Sequence, residues 1–413
     1  MKIKRNKRLF NCILVIFLIL CLACLFNNKT IEKEEMKNDL KALDQEGENY
    51  RLVTSSDNVQ VPVPKGYVAS QDFYERRVSP MIANGEKWYE GGFVIYQLTD
   101  EELETDPNGT NVIINYSNKD VAQRTRNQYV WVPVPNIEDI VRTKTSNNGI
   151  VQYGQSYKFT KTSITKVTSG FREPMLAEYY DMTKYYLQKN SNITQKEDYF
   201  NKMQEDFARM IKSIDKYKGF YIGRYETGDE YAHSSSKGCF TNPRVVRYNS
   251  NINYVTWYDS YKDLERLSGK TEKYVETGMM YDCLWDYMLK WLNTTGIRSY
   301  TELYTNSATW GYYSNYSNYE ITVSEGGLYP ASTGAVKTIT YQGKTYSDSP
   351  TMSNNIFDVA GNVTEWTRSR RYNYGRGYRG GGLYYLYPAA DSEGTSPLKL
   401  EQVIGVRSIL LIR

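Results

Sequence analysis

Asn355-Ile356-Phe357-Asp358-Val359-Ala360-Gly361-Asn362-Val363-Thr364-Glu365-Trp366 places a glycine, two asparagines and two carboxylates within twelve residues. A tight, glycine-permitted loop with acidic side chains suits a hard cation such as calcium, which takes about six to eight oxygens from carboxylates and backbone carbonyls. The other reading is that Asn362 and Glu365 only hydrogen-bond the loop's own backbone. Just after the loop, Arg368, Arg370, Arg371, Tyr372, Tyr374, Arg376, Tyr378, Tyr384, Tyr385 and Tyr387 crowd one segment. Tyrosine and arginine dominate binding hot spots.

Upstream, Gly219-Phe220-Tyr221-Ile222-Gly223-Arg224-Tyr225-Glu226 reads as a strand. A helix is expected before it, from Thr194 to Lys216, with a Thr194/Glu197 capping box and Phe200, Met203, Phe207, Met210, Ile211 and Ile214 on one face. Further helices are expected from Thr256 to Gly269 and from Thr277 to Leu292. Beyond Asn293, glycine, tyrosine, serine and asparagine prevail and loops should make up much of the chain.

The quoted run resembles the signature of the formylglycine-generating-enzyme family, with its recurring Gly-Asn-Val-x-Glu-Trp core. Other elements agree in order. Phe220 to Glu226 looks like the family's early strand ending in Glu, and Val255-Thr256-Trp257-Tyr258-Asp259 like the start of its next helix. Tyr378-Arg379-Gly380-Gly381-Gly382 is similar to its Arg-Gly-Gly-Ser strand, and Gly405-Val406-Arg407 to its terminal Gly-Phe-Arg. The matches run from about Lys218 to Arg413, and Tyr129-Val130-Trp131-Val132-Pro133 resembles the family's first strand. The resemblance implies an α+β, C-type-lectin-like fold with a small twisted sheet, two helices and long irregular coil over 126–413. It also implies a calcium site in which Asp358 and Glu365 offer side-chain oxygens and Gly361 and Val363 carbonyl oxygens.

The family's reaction oxidises a peptide cysteine with oxygen and a copper(I) ion held by two thiolates. A soft ion demands soft ligands. Counted from Arg379, the two thiol positions fall on Tyr385 and Ala390, so neither sulfur is present. The iron-dependent relatives hold their metal on histidine clusters, whereas His233 is the single histidine here. Neither copper nor iron is therefore expected. Gly375, Gly377 and Gly380 spell Gly-x-Gly-x-x-Gly, but no strand-to-helix turn early in a βαβ unit surrounds them.

The implied function is a non-catalytic binding module for an unknown protein, peptide or glycan. Its expected contact residues are Arg371, Tyr372, Tyr374, Arg376, Tyr378, Tyr384, Tyr385 and Tyr387. Two rivals stand beside it: a degenerate sulfatase-modifying oxidoreductase acting on a peptide cysteine, and a retroelement-diversified surface receptor, since such receptors share the fold and vary near the C-terminus.

At the other end, Lys2, Lys4, Arg5, Lys7 and Arg8 precede an apolar run from Leu9 to Phe26 broken by Asn11. A run of about 18 residues can span a bilayer, with the cationic end in the cytoplasm. Residues 1–30 are thus expected to be a signal-anchor or lipoprotein signal, with Leu22-Ala23-Cys24 making Cys24 a candidate for lipidation. The folded part would then lie outside the cell membrane, tethered by residues 9–26. Residues 31–58 read as a charged stalk and 59–125 as a small β-rich region. Of five cysteines, Cys239 and Cys283 lie in the exported part and could pair in an oxidising compartment.

The chain of 413 residues is 40% apolar and 24% charged, a globular composition. Its formal charge of +4 is more than accounted for by the N-terminal cations, so no basic footprint for nucleic acid exists. The 40 tyrosines against 12 phenylalanines favour strands and contact surfaces.

Overall fold

A run rich in bulky aliphatics, Ser408-Ile409-Leu410-Leu411-Ile412, forms an inner strand of the main sheet, second from one edge, with all five residues buried. In the computed structural model the described residues are 47–146, 149–167, 196–229, 242–250, 254–305, 307–313, 321–323, 330–371, 375–384, 387–397, 399 and 403–413. The expected anchor and lipidation site (residues 9–26 and Cys24), His233, Cys239, Tyr372, Tyr374, Tyr385 and the Thr194 cap lie outside them. Among the described residues no helix is long and apolar enough to cross a membrane.

Along the chain come β1 (Tyr50–Thr54), β2 (Gln60–Pro64), β3 (Tyr67–Ala69), β4 (Phe93–Gln97), α1 (Asp100–Thr105), α2 (Lys119–Thr125) and β5 (Gln128–Pro133). They are followed by β6 (Tyr157–Phe159), β7 (Ile164–Lys166), α3 (Lys196–Tyr217), β8 (Gly219–Gly223), α4 (Trp257–Asp263), β9 (Val275–Met279), α5 (Asp282–Thr294) and α6 (Tyr300–Tyr304). The C-terminal part adds β10 (Thr364–Arg371), β11 (Gly375–Arg379), β12 (Ser392–Thr395), β13 (Ile404–Gly405) and β14 (Ser408–Ile412). Several short hairpins complete a mixed α/β fold with few helices.

The main sheet has six strands in the order β9-β14-β8-β5-β4-β3, every neighbouring pair antiparallel. A second sheet has the order β12-β11-β10-β13. Two strands of the 59–125 region, β3 and β4, belong to the main sheet, with β4 paired directly to β5 from Phe93↔Trp131 to Tyr96↔Gln128. Gln45–Arg413 cluster as one unit.

Helix α5 is the hub of the core. Cys283, Leu284, Trp285, Tyr287, Met288, Leu289, Trp291 and Leu292 are all fully buried on it. Buried tryptophans are held by their polar edges, as such large rings require. Trp285 Nε1 donates to Ala389 O at 3.0 Å, Trp257 Nε1 to Thr367 O at 2.7 Å and Trp366 Nε1 to Val255 O at 3.0 Å, so each ring pins a loop or strand from a distant part of the chain.

Two helix expectations change. The residues from Thr277 to Met279 are strand β9, because the β-branched and glycine-containing Val275-Glu276-Thr277-Gly278 pairs with β14 from Val275↔Ile412 onward, and α5 begins only at Asp282. The element starting at Thr256 does so with Thr256 as its cap, but it tightens to a 3-10 turn over Leu264–Thr271, where Gly269 has φ of 48°.

Candidate functional site

The signature loop turns by repeated left-handed backbone. Asn354, Asn355, Asp358, Gly361 and Asn362 all have positive φ, the conformation that asparagine, aspartate and glycine tolerate best. Gly361 is required twice over, since a Cβ there would sit 2.1 Å from the Tyr312 carbonyl oxygen.

Asn362 is the loop's internal clamp. Its Nδ2 donates to Glu226 Oε2 at 2.6 Å and its Oδ1 accepts from Ala331 N at 2.9 Å, while Glu226 Oε1 accepts from Val363 N at 3.2 Å. Strand β8 ends at Gly223, short of the expected Glu226, and it is the segment just after the strand that carries Glu226 into the loop, where the buried carboxylate finds its hydrogen-bond donors.

Arg407 grips it from the other side. Its Nε donates to Glu365 Oε1 at 2.9 Å, its second guanidinium nitrogen to Phe357 O at 2.9 Å and Asp358 O at 3.0 Å, and its third to Gly223 O at 3.0 Å. Arg407 and Glu365 are both 0% exposed. Asp358 Oδ2 accepts from Gly334 N at 2.8 Å.

Of the three fully buried carboxylates Glu226, Asp358 and Glu365, Glu365 alone is bonded to the Arg407 guanidinium among the described residues; Glu226 is held by Asn362 and Val363 N, and Asp358 by Gly334 N. Burial drives all three upward. The Glu365 carboxyl is pushed up to about 8 by burial, with Arg407 opposing and Asp358 adding to the rise. Burial and then the neighbouring Asp358 and Glu365 raise Glu226 well above the usual carboxylate range, and burial raises Asp358. Two oxygens, Asp358 Oδ1 and Glu365 Oε2, have no hydrogen-bond partner among the described residues. Glu365 Oε2 faces away from Arg407 toward Gly380, where a Cβ would meet it at 2.7 Å and Val359 O at 3.2 Å. Among the described residues no three His, Cys, Asp or Glu side chains gather closely enough to hold a metal by themselves, so an ion here would need backbone carbonyls as well.

The expected contact residues disperse. Arg376 is buried, its guanidinium 3.9 Å from the centre of the Trp257 ring. Tyr378 sits edge-on to Trp366 at 5.8 Å, and half-buried Tyr384 packs with Leu383 on a small C-terminal core. Tyr387 is 43% exposed and its carbonyl accepts the Tyr313 hydroxyl at 2.8 Å. Arg371 ends β10. Arg368, next to this group in sequence, is buried against Asp206 at 2.8 Å and the rings of Tyr261 and Tyr281.

A cleft of about 450 Å³ is lined by Tyr157, Lys158 and Phe159, by Tyr304 and Thr305, and by Pro388, Ala390, Asp391 and Ser392. Ala390 N donates to Leu303 O at 3.1 Å, which ties the segment around Ala390 to α6. These residues come from three distant segments with no shared pattern, so the sequence offers no signal for them apart from Ala390. Cys283 is buried in the first turn of α5.

No family model matches the chain, and no curated protein matches it. Solved structures do. CarF is 14% identical over 48% of this chain and 87% of its own, with a TM-score of 0.28. PvdO from Pseudomonas aeruginosa is 14% identical over 47% and 81%, with a TM-score of 0.32. Treponema denticola variable protein 1 is 15% identical over 46% and 84%, with a TM-score of 0.30. At these TM-scores the likeness reaches neither ligand nor reaction.

Proposed function

We propose that the chain is a non-catalytic binding module on a scaffold of the formylglycine-generating-enzyme type, tethered outside the cell membrane by residues 9–26, with its ligand seat in the cleft at Ala390. One observation carries the reading. The position at which the family resemblance places the second copper-holding thiol is an alanine, and that alanine borders a cleft of about 450 Å³. Ligand pockets commonly fall in this size range. The lining offers aromatic faces, a hydroxyl-rich rim and one charge of each sign, and contains neither thiol nor imidazole.

The test is retention of ligand by the full-length chain in detergent, screened against a random peptide library and a glycan array. Ala390→Trp should fill the cleft and abolish retention of whatever is selected; unchanged retention sinks the proposal. The oxidoreductase rival is decided by incubating the chain with a cysteine-containing sulfatase peptide, copper and oxygen. A peptide that loses its sulfur would establish the enzyme instead.

Calcium at the signature loop belongs to the same proposal. The partnerless Asp358 Oδ1 and Glu365 Oε2 fit it, as does the excess of buried carboxylates over guanidinium. Asp358 and Glu365 would supply side-chain oxygens, and Gly361 and Val363 carbonyls. After treatment with EDTA, millimolar calcium should raise the melting temperature by about 5 °C or more. Glu365→Gln should remove that rise, and a wild-type chain indifferent to calcium would count against the site.

A further inference from the structure

Tyr157, Lys158 and Phe159 are consecutive, and side chains on a strand alternate between its two faces. Tyr157 and Phe159 are buried in the main core and Lys158 is exposed, so a cleft that all three border lies along the edge of the strand. The hydrogen-bond parity of β6 shows which edge. Thr160 N donates to Ser163 O at 2.9 Å and Val167 N to Ser156 O at 2.9 Å, at the two ends of the β6–β7 ladder. Bonded and non-bonded pairs alternate in an antiparallel ladder, so the bonded pair between them is Lys158↔Thr165. The backbone groups of Tyr157 and Phe159 therefore point away from β7.

One of those groups is already used: Tyr157 N donates to Asp286 Oδ2 at 2.8 Å. The Tyr157 carbonyl, the Phe159 N–H and the Phe159 carbonyl make no hydrogen bond among the described residues. Among the described residues β6 pairs with β7 alone, and no described strand neighbours this edge. The edge is also held rigidly. The Tyr157 hydroxyl donates to Asp139 O at 2.8 Å, Phe159 packs into the main core, and Asp286 is itself paired with Arg379. Ser392, also in the lining, begins β12, an outermost strand of the second sheet among the described residues.

We propose that the cleft takes an extended polypeptide segment of another molecule, which adds to the β6 edge as a strand. This rests on the cleft being the ligand seat and names the class of ligand. Main-chain bonds to Phe159 would supply affinity, as in other cases of strand addition, and the small Ala390 leaves room for one side chain beneath the strand. The rim carries one cation, Lys158, and one anion, Asp391, so a polyanion or polycation has no advantage over a neutral backbone.

The test uses peptides selected from a random library on the full-length chain in detergent. Each is resynthesised with single backbone N-methyl groups, because strand addition uses the N–H of alternate residues only. N-methylation at alternate positions should weaken binding about tenfold or more, while the positions between tolerate it. Hydrogen exchange at the Phe159 amide should slow when peptide binds, with the Lys158 amide already protected. The peptide inference is overturned if no peptide is recovered, if N-methylation is tolerated throughout, or if Phe159 is protected in the free chain, which would mean its own chain covers the edge. A glycan retained by wild type and lost in Ala390→Trp would leave the cleft standing as ligand seat without the peptide. Binders of any kind that ignore Ala390→Trp would remove both.

Discussion

Arg407 shows how much one side chain can settle in this fold. It joins the signature loop, the end of β8 and the Glu365 carboxylate, with no part of it in water. Arg407→Met leaves a carboxylate and three carbonyls without their donor, and removal of one partner from a buried pair costs about 3–5 kcal/mol. Arg407→Lys should recover little, because a point ammonium cannot reach three separate acceptors held by a planar fork. Urea midpoints of the two variants check this; a lysine variant close to wild type would show that charge alone matters. The same cluster fixes a pH dependence. Glu365 titrates near 8 when folded and near its usual 4.5 when unfolded, so the folded state holds more protons between those values. The Glu365 contribution to stability of the calcium-free chain should therefore fall as pH rises from about 4.5 to 8, and Glu226, also raised by burial, adds to the decline. Glu75 acts in the opposite sense: burial would raise it, but Arg224, Ser70 and Tyr96 more than offset this and bring it below its usual range. Its contribution is present above that range and lost in acid, so Glu75→Gln should weaken the acid-side dependence while leaving the decline toward pH 8 in place. The loop's glycine and asparagines were legible in sequence because left-handed backbone selects those residue types. The burial of Arg376 and Arg368 was not, since nothing in composition distinguishes an arginine stacked on Trp257 or bonded to Asp206 from one in solvent.

Among elements, β4 carries a constraint that its own sequence does not announce. Gly92, just before it, lies so close to the loop that a Cβ would come within 1.8 Å of the Asn354 carbonyl oxygen, and Asn355 Nδ2 donates to the Gly92 carbonyl at 2.8 Å. This is a backbone-to-backbone approach with nothing flexible to yield, so the strand and the signature loop must part if any side chain is added. Gly92→Ala should destabilise by about 3 kcal/mol or more, at the upper end of what overpacking costs. It should do so with a loss of calcium response if the loop binds the ion, because the displaced segment is the one that presents Asp358. Gly85→Ala, where a Cβ meets nothing within 4 Å but φ is 78°, is a control limited to backbone strain. Thermal melts of the pair, with and without calcium, separate the two effects. Element reading from sequence worked where a period was long, as in α3, whose Phe207, Met210 and Ile214 are buried as their spacing requires. It failed at Thr277 to Met279 because the stretch owes its strand state to a partner more than a hundred residues away in sequence.

At the scale of the whole molecule, the β-rich stretch ahead of residue 126 is bound into the unit that carries the signature. Strand β4 covers the edge of β5, and a buried ion pair crosses the same junction, with Arg224 and Glu75 at 2.8 Å and both about 4% exposed. Gln123 Nε2 and the Tyr96 and Ser70 hydroxyls donate to the same Glu75 carboxylate, so five residues from four segments close one polar network. Removing 47–125 would strip the partner from β5, expose the edge of a strand whose six residues are all buried, and leave the Arg224 guanidinium in the core without its carboxylate. An unpaired buried charge and a long apolar edge are each sufficient to prevent a stable monomer. A chain of residues 126–413 should therefore be recovered in aggregates or as a species without cooperative unfolding, whereas 45–413 should unfold in one transition. Near-ultraviolet circular dichroism and size exclusion of the two chains decide it. A soluble 126–413 with native aromatic signals would mean that the signature half builds its own sheet edge and that β3 and β4 are an addition to it; the loss of those signals would mean that the fold's minimal unit begins well before the first residue that resembles the family.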